Sequence, residues 1–146
     1  MTTDRNSPRS TLDIALLILR TVAGVIFIAH GGQKLFVYGL DGVTAGFAQN
    51  GVPFPVLTAP LISFLEFLGG FALIAGLLTR PVAAGLAATM LGAIVFVHLS
   101  GGFFLPAGIE FALVLLAITA SILLTGPGAY SLDARLVARR VGSSRR

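Results

Sequence analysis

The sequence predicts an all-α integral membrane four-helix bundle, with a short interfacial or re-entrant helix between the first and second spans. Two observations carry this. The 146 residues are 55% hydrophobic and only 11% charged, with a mean hydropathy of +0.94, whereas soluble domains hold about 25% charged residues. The apolar residues also fall into four separate runs, which leaves almost no material for a soluble domain.

The first run starts after a polar tail, residues 1–11. Ser10 and Asp13 have the spacing of a capping box, placing the start of the first helix near Leu12. Ile14 to Ala29 is apolar apart from Arg20 and Thr21, close to the length a bilayer crossing requires. Arg20 interrupts what would otherwise be the core of a signal peptide, and no small-x-small cleavage site follows, so the segment reads as a retained span over about 12–31. Gly31-Gly32 reads as its stop.

Residues 35–59 are too broken to span. Asp41 is placed to cap a short helix through Asn50, stopped by Gly51, with Val43 and Phe47 on one face. Phe36, Tyr38, Phe47 and Phe54 are aromatics suited to a membrane interface. The second span covers about 60–78, with Pro60 in its first turn. Thr79-Arg80-Pro81 reads as a tight turn that makes the second and third spans antiparallel neighbours. The third span covers about 82–98, and the fourth about 109–125, stopped by Gly126-Pro127-Gly128. The four spans make up a transmembrane domain over 12–128. A basic tail, 129–146, carries Leu132 and Leu136 one helical turn apart and suits an anionic lipid surface or a soluble partner. Small residues recur four apart, as in Ala84, Ala88 and Gly92, a pattern that lets helices approach closely in lipid.

Composition also excludes functions. The formal charge of +4 does not mark a nucleic-acid binder, because the basic residues cluster at the chain ends. There is no cysteine, so the chain supplies no disulfide, thiol relay, iron–sulfur cluster or thiolate metal site. Redox chemistry here requires a bound organic cofactor or a partner protein. With four spans both termini share a side. That side holds Arg5, Arg9, Arg80, Arg135, Arg139, Arg140, Arg145 and Arg146, while the other holds Lys34 alone. The positive-inside rule then places both termini in the cytoplasm.

The candidate functional residues are the polar groups within or beside the spans. An arginine in a span is unfavourable by about 2.5–3.5 kcal/mol on insertion scales, so it normally faces a partner. At about 100° per residue, Arg20 and Phe27 share a stripe, and Lys34 falls near it if the helix continues past the glycines. Glu66 lies about six residues below the outer end of the second span, roughly 9 Å at the helical rise. It is expected to pair with Arg20 or Lys34, since a lone buried carboxylate would take up a proton. Such a pair also has a purely structural reading, as a clamp between helices. Glu110, in the first turn of the fourth span, is favoured there by the helix dipole alone. His30 and His98 each end a helix on the outer side. Neither has the HxxxH or ExxH spacing of a metal site, and no metal is expected.

Arg20, the His30-Gly31-Gly32-Gln33-Lys34-Leu35 run, Gly51-Val52-Pro53 and Glu66-Phe67-Leu68-Gly69-Gly70 fall in one order along the chain. Gly76-Leu77-Leu78-Thr79-Arg80, Met90, His98, Gly102-Phe103-Phe104, Glu110, Gly126-Pro127-Gly128 and Ser131-Leu132-Asp133 continue it. In this the chain resembles the DoxX family of small bacterial membrane proteins, over roughly Leu12 to Asp133. The resemblance implies a four-span protein of the bacterial inner membrane. Some family members are linked to a thiosulfate:quinone oxidoreductase. Others form a membrane oxidoreductase complex with a superoxide dismutase and a sulfurtransferase. The family has no agreed catalytic residues.

Three functions follow as expectations. In the first, the chain is the membrane subunit of a quinone-linked oxidoreductase in a redox or oxidative-stress system. Arg20, His30, Lys34 and His98 would bind the quinone cofactor, and Glu66 and Glu110 would pass protons. In the second, it is a non-catalytic scaffold or accessory subunit that recruits soluble redox enzymes or joins a larger complex. In the third, the polar outer cleft carries a small solute or ion.

Overall fold

The computed structural model describes residues 8–143, and every regular element among them is helical. Arg5, Arg145 and Arg146 of the charge count, and most of the N-terminal tail, lie outside the described residues. α1 (Pro8–Gly32) runs into a π-helical segment, π1 (Gln33–Tyr38), and then α2 (Gly39–Gln49). α3 (Pro55–Ala75), α4 (Thr79–Gly92), a second π-helical segment, π2 (Ala93–His98), a short 3-10 turn (Leu99–Gly101), α5 (Glu110–Thr125) and α6 (Leu132–Ser143) complete the described residues. Three helical runs are long and apolar enough to cross a membrane, at Arg9–Gln49, Pro55–Ala75 and Thr79–Gly101. The shorter apolar helix Glu110–Thr125 packs beside them.

Several boundaries differ from the sequence expectation, each for an identifiable reason. α1 begins at Pro8 rather than near Leu12, which puts Ser10 inside the helix, and the Asp13 carboxylate accepts the Ala129 N–H at 2.8 Å. Gly31 and Gly32 do not stop the helical run, which continues without a break into π1. Gly31 is where α1 meets α3, and a Cβ there would overlap the backbone of Phe67. Gly24 and Gly70 do the same one register lower, since a Cβ on either would lie within 2.7 Å of the other's carbonyl oxygen. These glycines let α1 and α3 form the most extensive helix contact in the molecule.

The chain turns instead at Gly39 (φ +68, ψ 159), where α2 folds back toward α3 and buries Val43. α3 starts five residues earlier than expected, so Pro60 lies inside it and Glu66 sits eleven residues, about 16 Å, from its start. Glu66 is thus near mid-helix rather than close to one end. The α3–α4 turn is made by Gly76, Leu77 and Leu78, with Thr79-Arg80-Pro81 forming the first turn of α4. The core between α1, α3, α4 and α5 is built from Ala23, Phe27, Leu73, Leu86, Leu115 and Ile122.

Candidate functional site between α1, α3 and π2

Two polar clusters form at opposite ends of the bundle. At the end away from the termini, Lys34 projects from π1 and donates from Nζ to Oε2 of Glu66 on α3, an ion pair with side chains 20% and 3% exposed. The expectation for Glu66 is met by Lys34, not Arg20. The π-helical geometry of residues 33–38 matters here, because widening the helix shifts its register and re-aims the side chains that follow. His98 ends the second π-helical segment and faces the same pair. π-helical turns are frequent at functional sites, and this site has one on each side.

A cavity of about 100 Å³ opens among these residues, with His30, Lys34, Glu66 and His98 as its polar lining and Phe27, Met90 and Phe111 among its apolar walls. The His30 ring rests against Phe111, centroids 5.7 Å apart. His98 donates from Nδ1 to the Ala107 carbonyl at 3.0 Å, because a carbonyl only accepts. In the neutral ring this leaves Nε2 as an acceptor. One ammonium, one carboxylate and two imidazoles therefore converge on one chamber. That set can donate to, and exchange protons with, a carbonyl or hydroxyl oxygen. Four of the six residues singled out in the sequence meet here.

The other two lie elsewhere. Glu110 accepts the Leu105 N–H at 2.7 Å, which ties down the loop preceding α5. Arg20, fully buried, points toward the termini. Its Nη2 donates to the Tyr130 carbonyl at 2.5 Å, while Nε and Nη1 find no hydrogen-bond partner among the described residues. Gly76 (φ +67) makes room for it, since a Cβ there would collide with Nη1. The negative charge nearby is Asp133, whose carboxylate accepts the N–H groups of Leu78 and Thr79, both at 2.9 Å. Burial pushes the Asp133 carboxyl upward, but the Thr79 and Leu78 N–H groups together with the Arg20 charge outweigh it and hold the group below the usual carboxylate range. Asp133 thus caps α4 from a distant part of the chain. The sequence showed Ser131-Leu132-Asp133 only as a motif without a role.

A second, larger cleft of about 400 Å³ abuts the first. It lies between α2, the 52–54 connection, α3 and π2, and shares Lys34, Glu66, Ala93 and His98 with the smaller chamber. Among the described residues no group of three or more histidine or carboxylate side chains is placed to hold a metal ion.

The DoxX family model matches residues 15–99. The chain is 34% identical to a Bacillus subtilis protein named "Putative oxidoreductase CatD", an alignment covering 84% of this chain and 87% of that one. It is 34% identical to inner membrane protein YphA of Escherichia coli over 84% of this chain and 90% of that one. An uncharacterized membrane protein of Mycobacterium tuberculosis, Rv3486, is 32% identical over 86% of this chain and 83% of its own. No solved structure matches the chain. Both the family model and relatives covered over most of their length lead to one conclusion, that the chain belongs to the DoxX family.

Proposed function

We propose that this protein is the membrane subunit of a quinone-linked oxidoreductase in a redox or oxidative-stress system of the bacterial inner membrane. The quinone head reaches the chamber around Lys34 and Glu66, which the larger cleft adjoins. The observation that carries this reading is the ion pair itself, held inside an apolar bundle and flanked by two histidines across a cavity. Ionisable groups at such depth are costly and mark ligand or proton pathways more often than packing. The name of the Bacillus subtilis relative and the family's links to quinone enzymes point the same way.

The donor set fits a quinone carbonyl. A bound quinone supplies an acceptor for two electrons and two protons. With no cysteine the chain has no thiol or iron–sulfur cluster to supply the electrons, which would come from a partner protein or a second organic cofactor. Lys34 has three ammonium donors and spends one on Glu66, leaving others for a carbonyl oxygen. His98, held through Nδ1, and His30 stand where protons can be handed to or from the Lys34–Glu66 pair. Arg80, Arg135, Arg139 and Arg140 all lie at the termini end, so the positive-inside rule puts that end in the cytoplasm and the chamber toward the outer leaflet.

The test is binding of a soluble benzoquinone to the full-length protein in lipid nanodiscs, followed by native mass spectrometry and thermal melting. Wild type should bind and be stabilised, and Lys34→Gln and Glu66→Gln should each weaken binding by about tenfold or more, the loss expected for one charged hydrogen bond. No binding at high micromolar quinone would overturn the reading and leave the pair as a structural clamp.

A further inference from the structure

The two cavities differ in size and character, and size decides what each can hold. A chamber of about 100 Å³ is too small for a whole organic ligand, whose sites usually span about 300–1,000 Å³. The neighbouring cleft, about 400 Å³, falls within that range. Its lining is almost wholly apolar, including Phe47, Val52, Phe54, Ile62 and Phe96. The cleft reaches charge at one wall only, where Lys34, Glu66 and His98 also face the small chamber. Its other side opens outward past Phe54, which is 75% exposed, and Val97, also exposed. Phe54 is an aromatic of the kind found at membrane interfaces, so this mouth suits the level where headgroups meet hydrocarbon.

Two further features mark this cleft. Gly92 lies in its wall with an ordinary helical backbone, and a Cβ built on it meets nothing within 4 Å. Ala88, one turn earlier, lines the same space and is exposed. The small-residue stripe on α4 therefore admits no neighbouring helix here and leaves open volume instead. Phe54, at the mouth, holds a left-handed backbone (φ +51), costly for a bulky residue and found where surrounding structure enforces it.

We propose that this cleft houses the hydrocarbon chain of a single-chain amphiphile that enters from the bilayer, with its oxygen-bearing head reaching the Lys34–Glu66 wall. The inference rests on the quinone reading for the identity of the head, which would make the ligand an isoprenoid quinone. The chain site itself rests on volume and lining. A phospholipid or fatty-acid chain shares that chemistry, so the test separates the sources.

Wild type, Gly92→Leu and Ala88→Leu are prepared full-length in nanodiscs of fixed lipid composition. Three probes are used: a tailless benzoquinone, the same ring with a decyl tail, and a decyl amphiphile with no quinone ring. Binding is read by native mass spectrometry and by the ligand-induced rise in melting temperature. Comparing variants in one bilayer composition cancels the partitioning of the tailed probes into lipid. The expected result is that each plug weakens the decyl quinone at least tenfold and leaves the tailless quinone unchanged. If the ring-free decyl amphiphile binds as well as the decyl quinone and the plugs exclude both, the chain site stands and the quinone reading falls. If the decyl quinone binds both plugged variants as it binds wild type, the chain site is overturned, whatever the tailless quinone does. Unliganded melting temperatures within a few degrees of wild type establish that the plugs fold. Two plugs from different positions keep the result decisive if one does not.

Discussion

The buried charges of this bundle are met in different ways, Lys34 and Glu66 by each other and Arg20 by a backbone carbonyl at one of its three nitrogens. Lys34 and Glu66 answer each other, so removing either strands the remaining charge in an apolar site. Lys34→Met should destabilise the protein by about 3 kcal/mol, the lower end of the range for breaking a buried pair because Lys34 keeps some exposure. The double variant Lys34→Met/Glu66→Leu should recover most of that loss in thermal melts. Asp133 gives a pH signature of the opposite cluster. Its native pKa lies below the unfolded value, so its contribution is complete above about pH 5 and is lost as pH falls through the lowered native value. Melting temperatures measured from pH 6 down to pH 3 should fall less steeply for Asp133→Asn than for wild type. The sequence identified the charges but not all their partners. A helical wheel gives the angle at which Arg20 leaves its helix, whereas the direction in which a long side chain bends along the axis depends on what waits at each end. Tyr130 and Asp133 wait at the termini end, and nothing in the spacing of the spans reveals them.

At the scale of elements, glycine plays two opposite parts. At Gly24, Gly31 and Gly70 the missing side chain is filled by the backbone of a facing helix, and at Gly92 it is filled by nothing. Gly31→Ala should therefore cost about 1–3 kcal/mol through overpacking. Gly92→Ala should gain roughly 0.5–1 kcal/mol by removing a glycine from a helix. Thermal melting of the two variants side by side checks both signs. The existence and order of the helices were legible from apolar runs and turn residues, including the short helix ended by Gly51. Their ends were not. Gly31-Gly32 looks the same in sequence whether it stops a helix or admits a neighbour, and only the position of Phe67 distinguishes the two. The π-helical turns left no readable signal either, although they place Lys34 and His98 at the site.

The molecule as a whole is a bundle with a polar chamber toward one end and a stapled seam at the other. The seam draws on distant parts of the chain: Asp13 holds the Ala129 N–H, Asp133 holds the start of α4, and Tyr130 holds Arg20. One of these links has a bearing on biogenesis. The first helix carries its buried arginine into the membrane 110 residues before the carbonyl that receives it. At about 5–20 residues per second, a ribosome needs on the order of 5–20 seconds to make that stretch. Throughout that interval Arg20 lacks the Tyr130 carbonyl that receives it in the folded protein. Release into the bilayer is thus expected to wait for the final segment. In a pulse-chase, chains terminated after Gly126 should be extracted and degraded within minutes, whereas full-length chains persist.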